Sequence, residues 1–147
     1  MEENRAQTQG LESFLTALAS SAPTPGGGGA CALAGALGAA LGDMVGALTV
    51  GKRRYAAVEA DVQRLMQQAG ELRQRLLDLI DADAEAFLPL SRAYGLPRDT
   101  SAQRAARETV MEAALARAAE PPLGIMTACC AVVDLHAELL EKGSSLA

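Results

Sequence analysis

Leu11, Phe14, Leu15 and Leu18 fall on one face of a short amphipathic helix spanning Gly10 to Ser20. The next stretch, Ser21-Ala22-Pro23-Thr24-Pro25-Gly26-Gly27-Gly28-Gly29, holds two prolines and four glycines. Those residues predict a loop with a stiff entry and a permissive exit. Beyond it Ala30, Ala34, Gly38, Gly42 and Gly46 recur every four residues, as do Leu33, Leu37, Leu41 and Val45. A nearly bare ridge beside an aliphatic one predicts a central helix that partners approach closely on several sides.

From about Arg53 to about Tyr94, Val58, Val62, Leu65, Ala69, Leu72, Leu76 and Leu79 step by fours and threes, the spacing of a packing seam. Gly70 weakens this helix locally, and Pro89 is expected to kink or break it. Gly95-Leu96-Pro97 reads as a turn, with Asp99 or Thr100 capping a helix that runs to about Ala119. Pro121-Pro122 punctuates, and a last helix from about Leu123 to Glu141 stops at Gly143. The expectation is an all-α bundle of about five helices around one long central helix, a single domain over residues 1–147.

Composition agrees. Half the residues are apolar but only 3% are aromatic, and the abundant alanine favours helix over sheet. A net charge of −5 argues against a nucleic-acid surface, although Lys52-Arg53-Arg54 forms one basic cluster. Ala30 to Val50 is almost free of charge and precedes that cluster, in the outline of a membrane span. Its Ala and Gly content and the interior Asp43 favour a core helix instead, with no membrane partner. Cys31, Cys129 and Cys130 offer neither a disulfide pair nor zinc spacing and read as small buried hydrophobes. With no apolar signal stretch in Met1 to Gly10, a cytoplasmic location is expected.

Continuing the seam past Leu79 places Asp83 on the apolar stripe, beside Ile80 and Phe87. Burial raises a carboxyl pKa toward the range a general acid or base needs. The same position also suits an Asp that caps a neighbouring helix or meets an Arg. Asp43 is a second embedded carboxylate, able to pair across helices, to bind a ligand or to point into water at a helix edge, while Asp81 and Glu85 lie off the stripe and should be solvated. His136 shares the inward face of the last helix with Cys129 and Val133, a position that usually means a satisfied core residue, with acid-base catalysis as the lesser alternative. The glycine run exposes backbone N–H groups at a helix start, suited to a carboxylate, a phosphate or a polar ring edge, or acts only as a hinge. It fits neither a Walker A loop nor a dinucleotide fingerprint.

Pro23-Thr24-Pro25-Gly26-Gly27-Gly28-Gly29-Ala30 and the Ala-Leu-Ala-Gly-Ala-Leu-Gly run that follows resemble the opening of the formimidoyltetrahydrofolate cyclodeaminase/methenyltetrahydrofolate cyclohydrolase family. Leu48-Thr49-Val50-Gly51-Lys52-Arg53-Arg54-Tyr55, then Asp81-Ala82-Asp83-Ala84-Glu85-Ala86-Phe87, then Pro121-Pro122-Leu123 match in order. The resemblance implies a helical homodimer acting on 5-formimidoyl- or 5,10-methenyl-tetrahydrofolate, with no metal and no tightly bound cofactor. It implies that Pro25, Gly26, Gly27 and Gly28 shape a folate pocket, that Lys52 and Tyr55 contact substrate, and that Asp81 or Asp83 handles protons. Periodicity separately favours Asp83. The basic cluster would hold the glutamate tail. In the family Lys142-Gly143-Ser144-Ser145 leads into a Ser-Asp motif and more helix, whereas this sequence ends at Ala147, so the family's C-terminal part is expected to be missing. A non-catalytic helical dimer or folate-binding protein is the alternative.

Overall fold

The computed structural model describes residues 10–144; the stretch preceding Gly10 and Ser145 of the last motif lie outside the described residues. Among these residues the chain is all-helical: α1 (Leu11–Leu18), α2 (Gly27–Ala47), a 3-10 segment (Arg53–Val58), α3 (Glu59–Tyr94) and α4 (Ser101–Lys142). There are thus four α-helices where five were expected, and two of them are long. Two compact units form, one from the chain up to Cys31 with Asp78–Gly124, the other from Ala32–Leu77 with Ile125 onward.

The expected seam of α3 is observed at Val62, Leu65, Ala69 and Leu76; Leu72 is half-buried, Val58 falls in the 3-10 segment, and beyond Leu76 burial passes to Ile80 while Leu79 is only half-buried. Val62, Leu65, Ala69, Leu76, Ile80, Ala86, Leu90 and Ala93 are buried, and Pro89 is accommodated inside the helix. The break expected at Pro121-Pro122 does not occur, since both prolines lie within α4. Proline φ suits a helix, and the cost is a lost donor and a crowded preceding turn. Here a buried seam carries the helix through: Ala114, Ile125, Ala128, Val132, Leu135 and Leu139 are buried, and Pro121 falls in phase with them and is buried too. Thr100 rather than Asp99 caps α4. Its Oγ1 accepts from Gln103 N at 3.2 Å while Gln103 Oε1 accepts from Thr100 N at 3.0 Å, a reciprocal capping box.

In the second unit α2 runs parallel to α4 and antiparallel to α3. The small ridge allows this closeness: a Cβ at Gly35 would meet Cys129 Sγ at 2.7 Å, one at Gly38 Val132 Cγ1 at 3.5 Å, and one at Gly42 Leu135 Cδ2 at 3.1 Å. Leu65, Ala69, Leu135 and Leu139 form the core between α3 and α4, with Leu72 against it. Asp43 pairs with Arg73 across helices at 2.9 Å, so this embedded carboxylate is structural. His136 is half-buried with Nδ1 2.8 Å from Val132 O. Its expected neighbour Val133 is instead 67% exposed.

α2 is not surrounded, contrary to expectation. Leu37, Leu41, Met44 and Leu48 stay exposed along one face, as do Met126, Val133 and Leu140 on α4. Cys31 and Cys130 are likewise exposed, not buried; Cys130 lies on the uncovered α4 stripe, where no neighbour helix encloses it. α2 and α4 are long and apolar enough to cross a membrane by length and composition. In this fold the glycine face of α2 is occupied by α4, and its one charge is ion-paired.

Thr49 ties the end of α2 to the end of α4. Fully buried, it donates from Oγ1 to Val45 O at 2.7 Å and accepts from Ser144 N at 2.8 Å. Thr49→Val keeps the shape and removes that acceptor, so unfolding stability is expected to fall by about 1–3 kcal/mol in denaturant titrations. Nearby, Lys142 donates to Asp61 at 2.9 Å and Glu138 at 2.7 Å. These bonds hold both carboxyls below their ordinary values and the lysine above its own. The exposed network is weakened by salt. Its contribution disappears on acidification through the lowered carboxyl values, and at high pH through the raised lysine value.

Candidate active site

The first unit carries a cavity of about 420 Å³ whose lining includes Gly26, Gly27, Gly28, Asp83, Phe87 and Leu115. Its construction begins at the glycines. α2 starts at Gly27, not after Gly29 as the loop reading expected. Three glycines therefore form a helix's first turn, whose N–H groups have no intrahelical acceptor. The weak helix propensity of glycine is overridden by packing: Gly29 is buried, and a Cβ there would lie 3.6 Å from both Ile80 Cγ2 and Pro25 Cβ. Ala30 N continues the ladder to Gly26 O at 3.1 Å.

Asp83 reaches this turn from the seam of α3. Its carboxylate accepts a hydrogen bond from Gly29 N–H and sits so close over Gly28 that any Cβ there would collide with it. The absent side chain at Gly28 is therefore what allows the contact. Desolvation by the surrounding apolar groups raises the Asp83 pKa, and the Gly29 N–H opposes that rise only in part. The positive end of α2 adds a favourable field for the charged form. Among the described residues Asp83 is the one titratable side chain lining this cavity; Phe87, Leu90 and Leu115 supply apolar walls, and Thr24 a hydroxyl. The arrangement is a desolvated, oriented carboxylate facing a space walled by glycine backbone and aromatic and aliphatic surface, a setting suited to proton transfer.

The residues read from sequence separate into two groups. Gly26, Gly27, Gly28 and Asp83 meet at the cavity. Pro25 stands behind them, its Cβ beside Gly29, after a cis Thr24-Pro25 peptide. Lys52 and Tyr55 do not line this cavity and belong to the other compact unit. There Lys52 is exposed, Tyr55 is half-buried under the Arg54 guanidinium at 5.6 Å, and Tyr55 N donates to Lys52 O at 2.9 Å. Gly51, at φ +75°, makes the turn that leads into them. Asp81 was expected in solvent; it is half-buried with a buried Oδ2, because it follows Ile80 on the packed flank of α3. Glu85 is exposed as expected. The sequence reading missed the α4 wall, Leu115, Ala118, Ala119 and Pro122. Their spacing by threes and fours was available, but a helix end placed at Ala119 split the face.

The sequence profile of the family described as Formiminotransferase-cyclodeaminase matches residues 10–147. The chain belongs to this family. It is 46% identical over 139 residues to a methenyltetrahydrofolate cyclohydrolase of Methylorubrum extorquens, covering 95% of this chain and 67% of that protein. It is 33% identical over 121 residues to the formimidoyltransferase-cyclodeaminase of Gallus gallus, covering 82% of this chain and 22% of the relative. The crystal structure of formiminotetrahydrofolate cyclodeaminase from Thermotoga maritima superposes with a TM-score of 0.80 at 29% identity, over 94% of this chain and 65% of that one. The family is one of folate one-carbon enzymes, and the all-α fold is the family's.

Proposed function

We propose that this chain acts on the one-carbon bridge between N5 and N10 of tetrahydrofolate, with Asp83 as the proton-transfer group. The observation that carries the reading is the desolvated Asp83 carboxyl held over Gly28 and Gly29 at the mouth of an apolar cavity. Higher identity to a methenyltetrahydrofolate cyclohydrolase than to a cyclodeaminase favours hydrolysis of 5,10-methenyl-tetrahydrofolate. Water adds to the methenyl carbon as Asp83 accepts a proton, giving a tetrahedral carbinolamine. The bond from that carbon to N5 then breaks, the hydroxyl proton is lost and N5 is protonated, leaving the formyl group on N10. One water proton ends on N5 and the other is released. Gly26 to Gly28 provide a backbone surface that lets a flat ring approach closely, and Lys52 and Tyr55 enter as substrate contacts by their motif alone. Two assays with the purified chain discriminate the activities. Loss of methenyl absorbance is expected; ammonia released from 5-formimidoyl-tetrahydrofolate instead would make it a cyclodeaminase, and neither signal would overturn catalysis.

A second reading, a helical assembly or folate-binding subunit without turnover, has the exposed stripes of α2 and α4 in its favour. Both stripes lie on the side of the α2–α4 pair opposite α3, at heptad-like spacing. Such a surface fits a second copy of the same chain, and self-association serves either reading. Leu41→Glu combined with Val133→Glu is expected to convert a dimer to a monomer in sedimentation experiments. An unchanged mass for the double variant would contradict this interface.

A further inference from the structure

Among the described residues two polar side chains line the candidate active-site cavity, Asp83 and Thr24. We infer that the Thr24 hydroxyl positions the attacking water, accepting a hydrogen bond from one O–H while Asp83 takes the proton of the other, a role that rests on the hydrolytic reading above.

The placement of Thr24 is built into the glycine turn. It is half-buried and precedes Pro25, whose Cβ lies 3.6 Å from the position of a Cβ on Gly29. Gly29 is also the residue whose N–H donates to Asp83. One buried glycine thus braces both polar groups, packing against the proline beside Thr24 and hydrogen-bonding the carboxylate. The pyrrolidine ring stiffens this stretch of backbone, so Thr24 is not carried on a free loop tip. Among the described residues its Oγ1 has no hydrogen-bond partner. By contrast the hydroxyls of Thr49, Thr100 and Thr109 are committed to backbone groups of their own helices.

The chemistry calls for an acceptor at this place. A water that attacks the methenyl carbon must turn a lone pair toward it, so both of its hydrogens have to point elsewhere. As the new C–O bond forms, the water becomes acidic, and hydrogen bonds accepted from it strengthen in the transition state. The free N–H groups of the glycine turn are donors and would occupy the lone pair instead. Phe87, Leu90 and Leu115 offer no acceptor. Asp83 and Thr24 are the side-chain acceptors of the cavity. One O–H bond of the water breaks and its proton passes to Asp83. The other hydrogen stays on oxygen, bonded to Thr24 Oγ1, until the carbinolamine collapses. Thr24 gains and loses no proton, which makes it a positioning residue beside the proton-transfer group.

The test is steady-state hydrolysis of 5,10-methenyl-tetrahydrofolate across pH by the intact chain and by Thr24→Val and Thr24→Ser, with circular dichroism and melting to confirm the fold. Valine keeps the branched shape and removes the hydroxyl. Thr24→Val is expected to lower kcat about tenfold, the reach of one positioned hydrogen bond. KM and the pH of half-maximal rate should stay where they are, because the glycine turn and Asp83 are untouched. Thr24→Ser should recover most of the lost rate. Placed on Asp83→Asn, Thr24→Val should cost far less than tenfold, since both residues act on one water. A wild-type kcat in Thr24→Val would overturn the inference. So would a loss carried by KM or by a displaced pH profile, or a Thr24→Ser variant as slow as Thr24→Val. In each of these cases the assignment of Asp83 stands. A wild-type chain with no turnover above the uncatalysed background removes the hydrolytic reading and this role together.

Discussion

Asp83→Asn is expected to lower turnover of 5,10-methenyl-tetrahydrofolate by roughly 10²–10⁴, the usual reach of a positioned acid–base group, while folate binding changes little. Asn occupies the same space and can still accept from Gly29 N–H, so the change removes the proton acceptor and little else. A stability effect of opposite sign accompanies it. Burial raises the Asp83 pKa above its ordinary value of 3.8, so the folded state holds this proton more tightly than the unfolded chain. The group's favourable contribution is fully present below the ordinary aspartate value and is lost as pH rises through the raised one. Near neutral pH the wild-type carboxylate is therefore a liability, and the Asn variant should melt at a higher temperature. That advantage should vanish on acidification below the ordinary range. Activity should move the other way, rising with pH through the raised value as the base form accumulates.

Gly28→Ala should lower both stability and activity. A Cβ at this position occupies the space of the Asp83 carboxylate, and α2 cannot retreat easily while Gly29 is buried against Ile80 and Pro25. Overpacking of this kind costs about 1–3 kcal/mol, and displacing a reacting group by about an ångström lowers the rate roughly 100-fold. Gly27 lies one position away with nothing within 4 Å of its would-be Cβ. Gly27→Ala should therefore leave thermal stability at or above that of the wild type. Paired melts and rate measurements on the two variants separate collision with Asp83 from a general intolerance of side chains in the loop.

The seam of α3 was legible because its spacing is regular and Asp83 is the position where a charge interrupts it; the cavity shows that interruption at the glycine turn. Other features were hidden for identifiable reasons. Gly27 to Gly29 read as loop because glycine disfavours helix, yet their lack of side chains is what admits the carboxylate. Pro121-Pro122 read as a stop because the lost donors are visible in sequence, while the compensating burial of Pro121 is visible only by extending the α4 seam through it. The merging of two expected helices into α4 brought Leu115, Ala118, Ala119 and Pro122 onto one wall. Exposure of Leu37 and Leu41 could not be read from their residue types, since an aliphatic ridge looks alike whether it meets its own chain or another. Asp81 shows the converse: periodicity sent it to solvent, and its neighbour Ile80 drew its Oδ2 out of water.

The most direct measurement is the titration of the Asp83 carboxyl carbon by NMR, assigned through its loss in Asp83→Asn, with and without a stable reduced-folate analogue. A carboxyl that titrates above the ordinary aspartate range and shifts when the analogue binds is the expected result. A carboxyl that titrates as a solvated aspartate does and ignores the analogue would contradict the assignment of Asp83 to a folate site.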